Sequence, residues 1–81
     1  FMKLSLHREL EIPDVVLKHI KYLMVNRLDS LVIRLGGACF YISHWNEEYC
    51  LEVTIHGDEK IMYTFKDQSI FERILEDESI C

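Results

Sequence analysis

The sequence predicts one α+β domain in which two helices cover a single face of an antiparallel sheet. Three observations lead to this prediction. The 81 residues suit one hydrophobic core rather than two. Four successive segments in the middle alternate apolar and polar residues, and apolar residues repeat at helical spacing on either side of them. The expected order over residues 1–81 is β-α-β-β-β-β-α, folded as a two-layer sandwich with an antiparallel four-strand meander and an N-terminal strand.

The N-terminal part of the chain predicts one strand and the first helix. Apolar residues alternate with polar ones at Met2, Leu4 and Leu6. Pro13 suits the first turn of a helix, because no backbone N–H is needed there, and we expect a helix over 13–28 closed by Asp29-Ser30. Its core stripe is Val16, Leu17, Ile20, Leu23, Met24 and Leu28. The helical crossover favours parallel pairing of the first strand with the second, with insertion elsewhere in the sheet as the alternative.

Three turns set the register of the meander. Gly36-Gly37 supplies the positive φ that a two-residue hairpin loop needs. A second turn, expected over 44–49, is centred on Asn46-Glu47, and a three-residue loop follows at 57–59. A two-residue loop at the third turn would point the aromatic residues of the last strand outward, because a slip of one residue reverses a strand's faces. The resulting inward residues are Leu31, Ile33, Leu35, Ala38, Phe40, Ile42, Leu51, Val53, Ile55, Ile61, Tyr63 and Phe65.

The C-terminal part predicts a second, short helix. Ser69 and Glu72 have the spacing of a capping box, in which each side chain satisfies a free backbone N–H. A helix over 70–78 follows, with apolar residues at Ile70, Phe71, Ile74 and Leu75. The run Glu76-Asp77-Glu78 opposes the helix dipole. We interpret this run as a frayed end or, alternatively, as an acidic docking surface.

The same register defines the sheet face that the helices leave open. Its residues are Val32, Arg34, Cys39, Tyr41, Ser43, Cys50, Glu52, Thr54, His56, Met62, Thr64 and Lys66. A face this apolar is typical of an interface, although ordinary exposed sheets also carry Thr, Tyr and Val. The first helix has a second apolar ridge at Val15, Tyr22 and Val25, which either the N-terminal strand or another chain would cover.

Charge is unevenly distributed and argues against direct nucleic-acid binding. The net charge is −5, made of +2 from residues 1–34 (six basic, four acidic) and −7 from residues 35–81 (three basic, ten acidic). Binding a phosphate backbone needs basic stripes. Tyr41 between Arg34 and Lys66 could stack on bases, but the consensus of RNA-binding sheets is absent and Glu52 lies among them.

Cysteine and histidine residues offer little support for metal binding or catalysis. Cys39, Cys50 and Cys81 form an odd set without paired spacing, which favours free thiols in the cytoplasm. The N-terminal residues are too polar for a signal peptide, and no apolar run approaches the length of a membrane span. Cys39, His44, Cys50 and His56 lack zinc-ligand spacing, and we expect no cofactor. A Cys39–His56 nucleophile pair would lack an oxyanion hole and an orienting third group.

We therefore expect a non-catalytic protein-interaction module, acting as a small inhibitor, immunity or regulatory protein on a protein partner. The expected sheet-face contacts are Val32, Arg34, Cys39, Tyr41, Glu52, Thr54 and Met62. The expected acidic contacts are Glu47, Glu48, Asp58, Glu59, Glu76, Asp77 and Glu78. The open face also predicts a homodimer. Two alternatives remain: an acidic nucleic-acid mimic of phage type, and a small Cys/His enzyme or metal protein.

Overall fold

A computed structural model describes residues 5–7 and 10–80, with side chains from residue 11 onward, and confirms the predicted α+β architecture. Two short strands precede the first helix, and the four strands of the large sheet lie between the two helices in the sequence. The elements in chain order are β1 (Ser5–His7), β2 (Leu10–Glu11), α1 (Asp14–Asn26), β3 (Ser30–Leu35), β4 (Ala38–Trp45), β5 (Glu48–His56), β6 (Lys60–Phe65) and α2 (Gln68–Glu76).

Strands β3 to β6 form one antiparallel sheet in sequence order, and the predicted register is confirmed. The pairs that close the three turns are Leu35 with Ala38, Trp45 with Glu48, and His56 with Lys60. Gly36 has a φ of 57°, as the first turn requires. A Cβ at Gly37 would lie 2.9 Å from the His56 carbonyl oxygen, so this position needs glycine because a neighbouring backbone approaches it closely.

The core lies between the two helices and one face of the sheet. Alternation along β4 and β5 places four buried apolar side chains on that face, and the core stripe of α1 packs over them. The buried core residues are Ile12, Val16, Leu17, Ile20, Leu23, Met24, Phe40, Ile42, Leu51, Val53, Phe71, Ile74 and Ile80. Because both helices lie on this side, the opposite face of the sheet stays open.

The predicted parallel pairing of the first strand with the second is wrong. β1 pairs antiparallel with β2, a strand in the segment interpreted as a connector, and the two form a separate two-strand sheet. The physical reason is proximity along the chain, since closing a very short loop costs less entropy than a crossover past a helix. Met2 and Leu4, which also belong to the predicted strand, lie outside the described residues.

The first helix ends two residues before the predicted boundary. Arg27 adopts a left-handed conformation with φ 53°, and the Leu28 N–H donates to the Leu23 carbonyl oxygen at 3.0 Å. This arrangement satisfies two of the last free carbonyls of α1 in the Schellman manner. The helix is therefore closed by the backbone at Arg27 rather than by Asp29-Ser30.

The predicted capping box of α2 is wrong, and the helix lies two residues earlier than expected. Asp67 is the N-cap: its Oδ1 accepts from the Ser69 N–H at 3.1 Å and from the Ser69 hydroxyl at 2.7 Å. A carboxylate also suits the positive end of the helix dipole better than a hydroxyl. At the other end α2 stops at Glu76 and Asp77 forms the cap.

Candidate protein-interaction surface

The outer face of the sheet, defined here by Val32, Arg34, Cys39, Tyr41, Trp45, Glu52, Thr54 and Met62, is the candidate site. Two rows of directly paired residues cross it. One row is Val32, Tyr41, Glu52 and Thr64, and the other is Arg34, Cys39, Thr54 and Met62. The structure thus brings together all seven residues predicted for the sheet face. Val32, Tyr41 and Met62 are exposed large hydrophobic side chains within these rows.

Trp45 is a surface residue that the sequence analysis missed. β4 continues to Trp45, which pairs with Glu48 and lies on the same face as Tyr41 because the two are four residues apart in one strand. Its side chain is 84% exposed, although tryptophan is on average a highly buried residue. The signal was present in the sequence: the alternation that turns Tyr41 outward also turns Trp45 outward, once the strand is not ended at Ser43.

An aromatic stack on the helix side holds the end of the hairpin that carries Trp45. The His44 ring stacks on Tyr49 with centroids 4.3 Å apart, and Tyr49 contacts Phe71 of α2 at 5.5 Å. Gln68 binds both backbone groups of Tyr49: its Oε1 accepts from the N–H at 2.9 Å and its Nε2 donates to the carbonyl at 2.8 Å. The β4–β5 turn is therefore fixed to the helix layer while Trp45 projects from the other side.

The predicted acidic contacts do not form one surface. Glu47 and Glu48 lie at the β4–β5 turn, whereas Asp58 and Glu59 lie at the β5–β6 turn. These turns are at opposite ends of β5. The strand rises about 3.3 Å per residue, so the eight residue-to-residue steps from 48 to 56 separate the turns by roughly 26 Å. Glu76, Asp77 and Glu78 lie elsewhere, at the C-terminal end of α2 in the helix layer. The acids are therefore distributed over two ends of the sheet and the layer behind it.

Asp77 has a structural role that the sequence analysis did not predict. Its Oδ1 accepts from the Ser79 N–H at 3.0 Å and from the Ser79 hydroxyl at 2.6 Å, and these bonds hold the pKa of the carboxyl below its usual value. Its backbone carbonyl accepts from Lys21 Nζ at 2.6 Å. The turn returns the chain to the core, where Ile80 is buried.

Two thiols lie on the outer face. Cys39 pairs with Thr54 and shares a shallow depression with Arg34 and His56 near the first turn. Cys50 lies further along the neighbouring strand, opposite Ser43. Burial, and secondly the nearby Glu52 carboxylate, raise the pKa of the Cys50 thiol, so this thiol is protonated and weakly nucleophilic at neutral pH. Both cysteines are free thiols.

Over residues 5–7 and 10–80, no group of three or more His, Cys, Asp or Glu side chains could hold a metal ion. Within the same ranges, no helix has the length and apolar character needed to cross a bilayer.

No family model, curated protein or solved structure matches the chain.

Proposed function

We propose that the protein is a non-catalytic interaction module whose outer sheet face binds a protein partner. Inhibition or regulation of that partner is the form of activity that this proposal implies, in the cytoplasm, where the free thiols Cys39 and Cys50 would be stable. The observation that carries the proposal is the pair of aromatic side chains on the outer face of β4, Tyr41 and the almost fully exposed Trp45.

The composition of the outer face supports this proposal. Interface centres are enriched in Tyr, Trp, Met and Arg, and a few such residues carry most of the binding energy. Tyr41, Trp45, Met62 and Arg34 represent these four types on one face. The face is also supported by a rigid layer, because the apolar side chains behind it are buried against both helices. A rigid surface loses little conformational entropy on binding.

Nucleic-acid mimicry is a weaker interpretation of the same molecule. A mimic needs carboxylates arranged along one surface, as phosphates are arranged along a strand. The acidic turns at Glu47–Glu48 and Asp58–Glu59 lie at opposite ends of β5. The exposed residues between them on the outer face include Tyr41 and Met62 rather than a continuous acidic row.

A Cys/His enzyme is the alternative of a different class, and one observation favours it: Cys39 and His56 line the same depression. Covalent catalysis would need the His56 imidazole to activate the Cys39 thiol. The rate of Cys39 alkylation distinguishes the two interpretations. An activated thiol reacts much faster than Cys50 and loses that advantage in His56→Ala, whereas an ordinary thiol shows no dependence on His56.

Site-specific photo-crosslinking tests the proposed function. A benzophenone amino acid replaces Tyr41 or Trp45 on the outer face, and Tyr22 on α1 serves as the matched control because it is also an exposed aromatic residue. Illumination in cells of the source organism is followed by mass determination of the adducts.

We expect positions 41 and 45 to yield the same foreign protein and position 22 not to yield it. The captured protein should then bind the purified wild-type chain directly. Capture of that protein from position 22 alone, or by all three positions equally, would contradict the assignment of the binding site to the outer face.

A further inference from the structure

The side of the helix layer that faces away from the sheet carries a second exposed apolar surface. On α1 the exposed residues Val15, Lys18, Tyr22 and Val25 are spaced three, four and three residues apart. This spacing places them on one ridge, as in the seam of a helix pair. Tyr22 and Val25 are 58% and 60% exposed, so the C-terminal half of the ridge is apolar, and Lys18 lies between Val15 and Tyr22.

The adjacent helix carries the opposite charge. Glu72 and Glu76 are exposed on α2, and Leu75 between them is an exposed hydrophobic residue. The two helices are held side by side, since Lys21 Nζ of α1 donates to the Asp77 carbonyl at the end of α2. The outer surface of the helix layer therefore has a basic, apolar half and an acidic half next to each other.

We propose that two copies of the chain associate through these helix layers, with α1 of each copy packed on α2 of the other. The two-fold axis runs between the two helix layers, parallel to the helices. It therefore creates two equivalent contacts, each between α1 of one copy and α2 of the other. It places the ridge of Val15, Tyr22 and Val25 against the surface around Leu75 of the second copy. The result is a four-helix interface with a sheet on each outer side.

Charge complementarity is the reason for choosing a second copy as the occupant. The helices alone, 14–26 and 68–76, have charge balances of +1 and −1, the latter including the exposed Arg73. With the flanking residues the contrast is larger: residues 14–27 carry three basic and one acidic side chain, a balance of +2, and residues 67–78 carry five acidic and one basic, a balance of −4. Packing α1 on α1 would bring the Lys18 side chains together, and packing α2 on α2 would join acidic surfaces. Packing α1 on α2 joins opposite charges at both contacts, and such complementarity sets partner orientation.

This dimer is distinct from the interface on the outer sheet face and leaves that face open. Four exposed large hydrophobic residues, Val15, Tyr22, Val25 and Leu75, are covered by it, and none of them belongs to the sheet. A dimer built in this way presents two copies of the Tyr41–Trp45 surface, one on each side of the assembly. The dimer would thus bind two partner molecules, one on each chain.

Sedimentation equilibrium of the wild-type chain and of three single variants tests the proposal. We expect a dimer at micromolar concentration that weakens as the salt concentration rises. Tyr22→Glu should raise the dissociation constant by about 100-fold or more, because a charge replaces an aromatic contact. Lys18→Glu should raise it by about 10-fold. Tyr41→Glu, the matched control on the sheet, should leave it within about twofold, and thermal unfolding verifies that each variant is folded.

A charge exchange tests which helices meet. Lys18→Glu and Glu76→Lys should each weaken the dimer, and the double variant should recover most of the wild-type affinity, because each α1–α2 contact then regains opposite charges. A wild-type mass of 9.7 kDa at all concentrations would overturn the proposal. Loss of the dimer in Tyr41→Glu but not in Tyr22→Glu would also overturn it, as would a double variant weaker than either single one.

Discussion

The two faces of the β3–β6 sheet use the same strands for different purposes. Phe40 and Tyr41 are neighbours in β4, yet Phe40 is buried under the helices and Tyr41 is exposed on the opposite side. The inner face is mainly apolar, with His44 near the β4–β5 turn as an exception, and it accounts for folding. The outer face carries aromatic and apolar residues that the core does not need. The helices thus cover one side of the sheet and leave the other side exposed. Substitutions on the inner face should therefore change the free energy of unfolding, whereas substitutions on the outer face should change the proposed partner binding.

The largest expected difference is between the two neighbours in β4. Phe40→Ala removes a buried aromatic side chain and should lower the free energy of unfolding by about 3–5 kcal/mol. Tyr41→Ala removes an exposed one and should lower it by less than about 1 kcal/mol. Urea unfolding of both variants gives the comparison. A larger effect at Tyr41 would mean that the register is wrong by one residue.

The next comparison concerns the segment after α2. Ile80 is 1% exposed, so Ile80→Ala should lower the free energy of unfolding by about 2–4 kcal/mol. Glu78→Ala, an exposed residue two positions before Ile80, is the matched control and should change it by less than about 1 kcal/mol. Equal effects in thermal melts would show that the C-terminal turn does not return the chain to the core.

A smaller comparison contrasts two tight turns. Gly36 has φ 57° and Glu47 has φ 67°, so both lie in the left-handed region of backbone conformation. A residue with a Cβ is destabilised there by roughly 1 kcal/mol relative to glycine. Glu47→Gly should therefore stabilise the fold by about 0.5–1 kcal/mol. Gly36→Ala should destabilise it by about 1 kcal/mol through the backbone alone, because no heavy atom of the described residues, apart from those of its chain neighbours, lies within 4 Å of the added Cβ. Stabilisation by Gly36→Ala would contradict the turn geometry.

The smallest expected effect is the pH dependence of the Asp77 turn. Hydrogen bonds from Ser79 lower the Asp77 pKa in the folded state. The carboxylate therefore contributes stability above the unfolded Asp pKa of about 3.9, and this contribution disappears as the pH falls through the lower folded value. NMR titration should show that Ser79→Ala raises the Asp77 pKa. An Asp77 pKa that is normal in the wild type and unchanged in Ser79→Ala would remove this role.

The register of the sheet was predictable because two independent signals agreed. The Gly36-Gly37 turn fixed one pair, and the alternation in the strands on either side then left Ile33 and Phe40 on the same face. The three-residue loop at 57–59 was chosen by the same argument, since only that length keeps Tyr63 inward. Local turn chemistry and burial pattern together determine register.

Other features depended on competitions that sequence pattern does not resolve. Ser69 and Asp67 are both residue types that favour the N-cap position. Asp67 occupies it because its carboxylate accepts hydrogen bonds from both the backbone N–H and the hydroxyl of Ser69. Alternation predicts a strand at Ser5–His7 but does not predict its partner, which is β2 rather than the large sheet. Trp45 was missed because polar residues around Asn46 resemble a longer turn than the two-residue turn that forms.

The most direct test of the outer face as a binding site is the affinity of the photo-crosslinked partner for Trp45→Ala, measured by isothermal titration. Trp45 contributes little to the core, so the variant should keep the wild-type free energy of unfolding to within about 1 kcal/mol. Loss of a central aromatic contact should raise the dissociation constant by about 30-fold or more, which corresponds to about 2 kcal/mol. A dissociation constant within twofold of wild type, for a folded variant, would contradict the account.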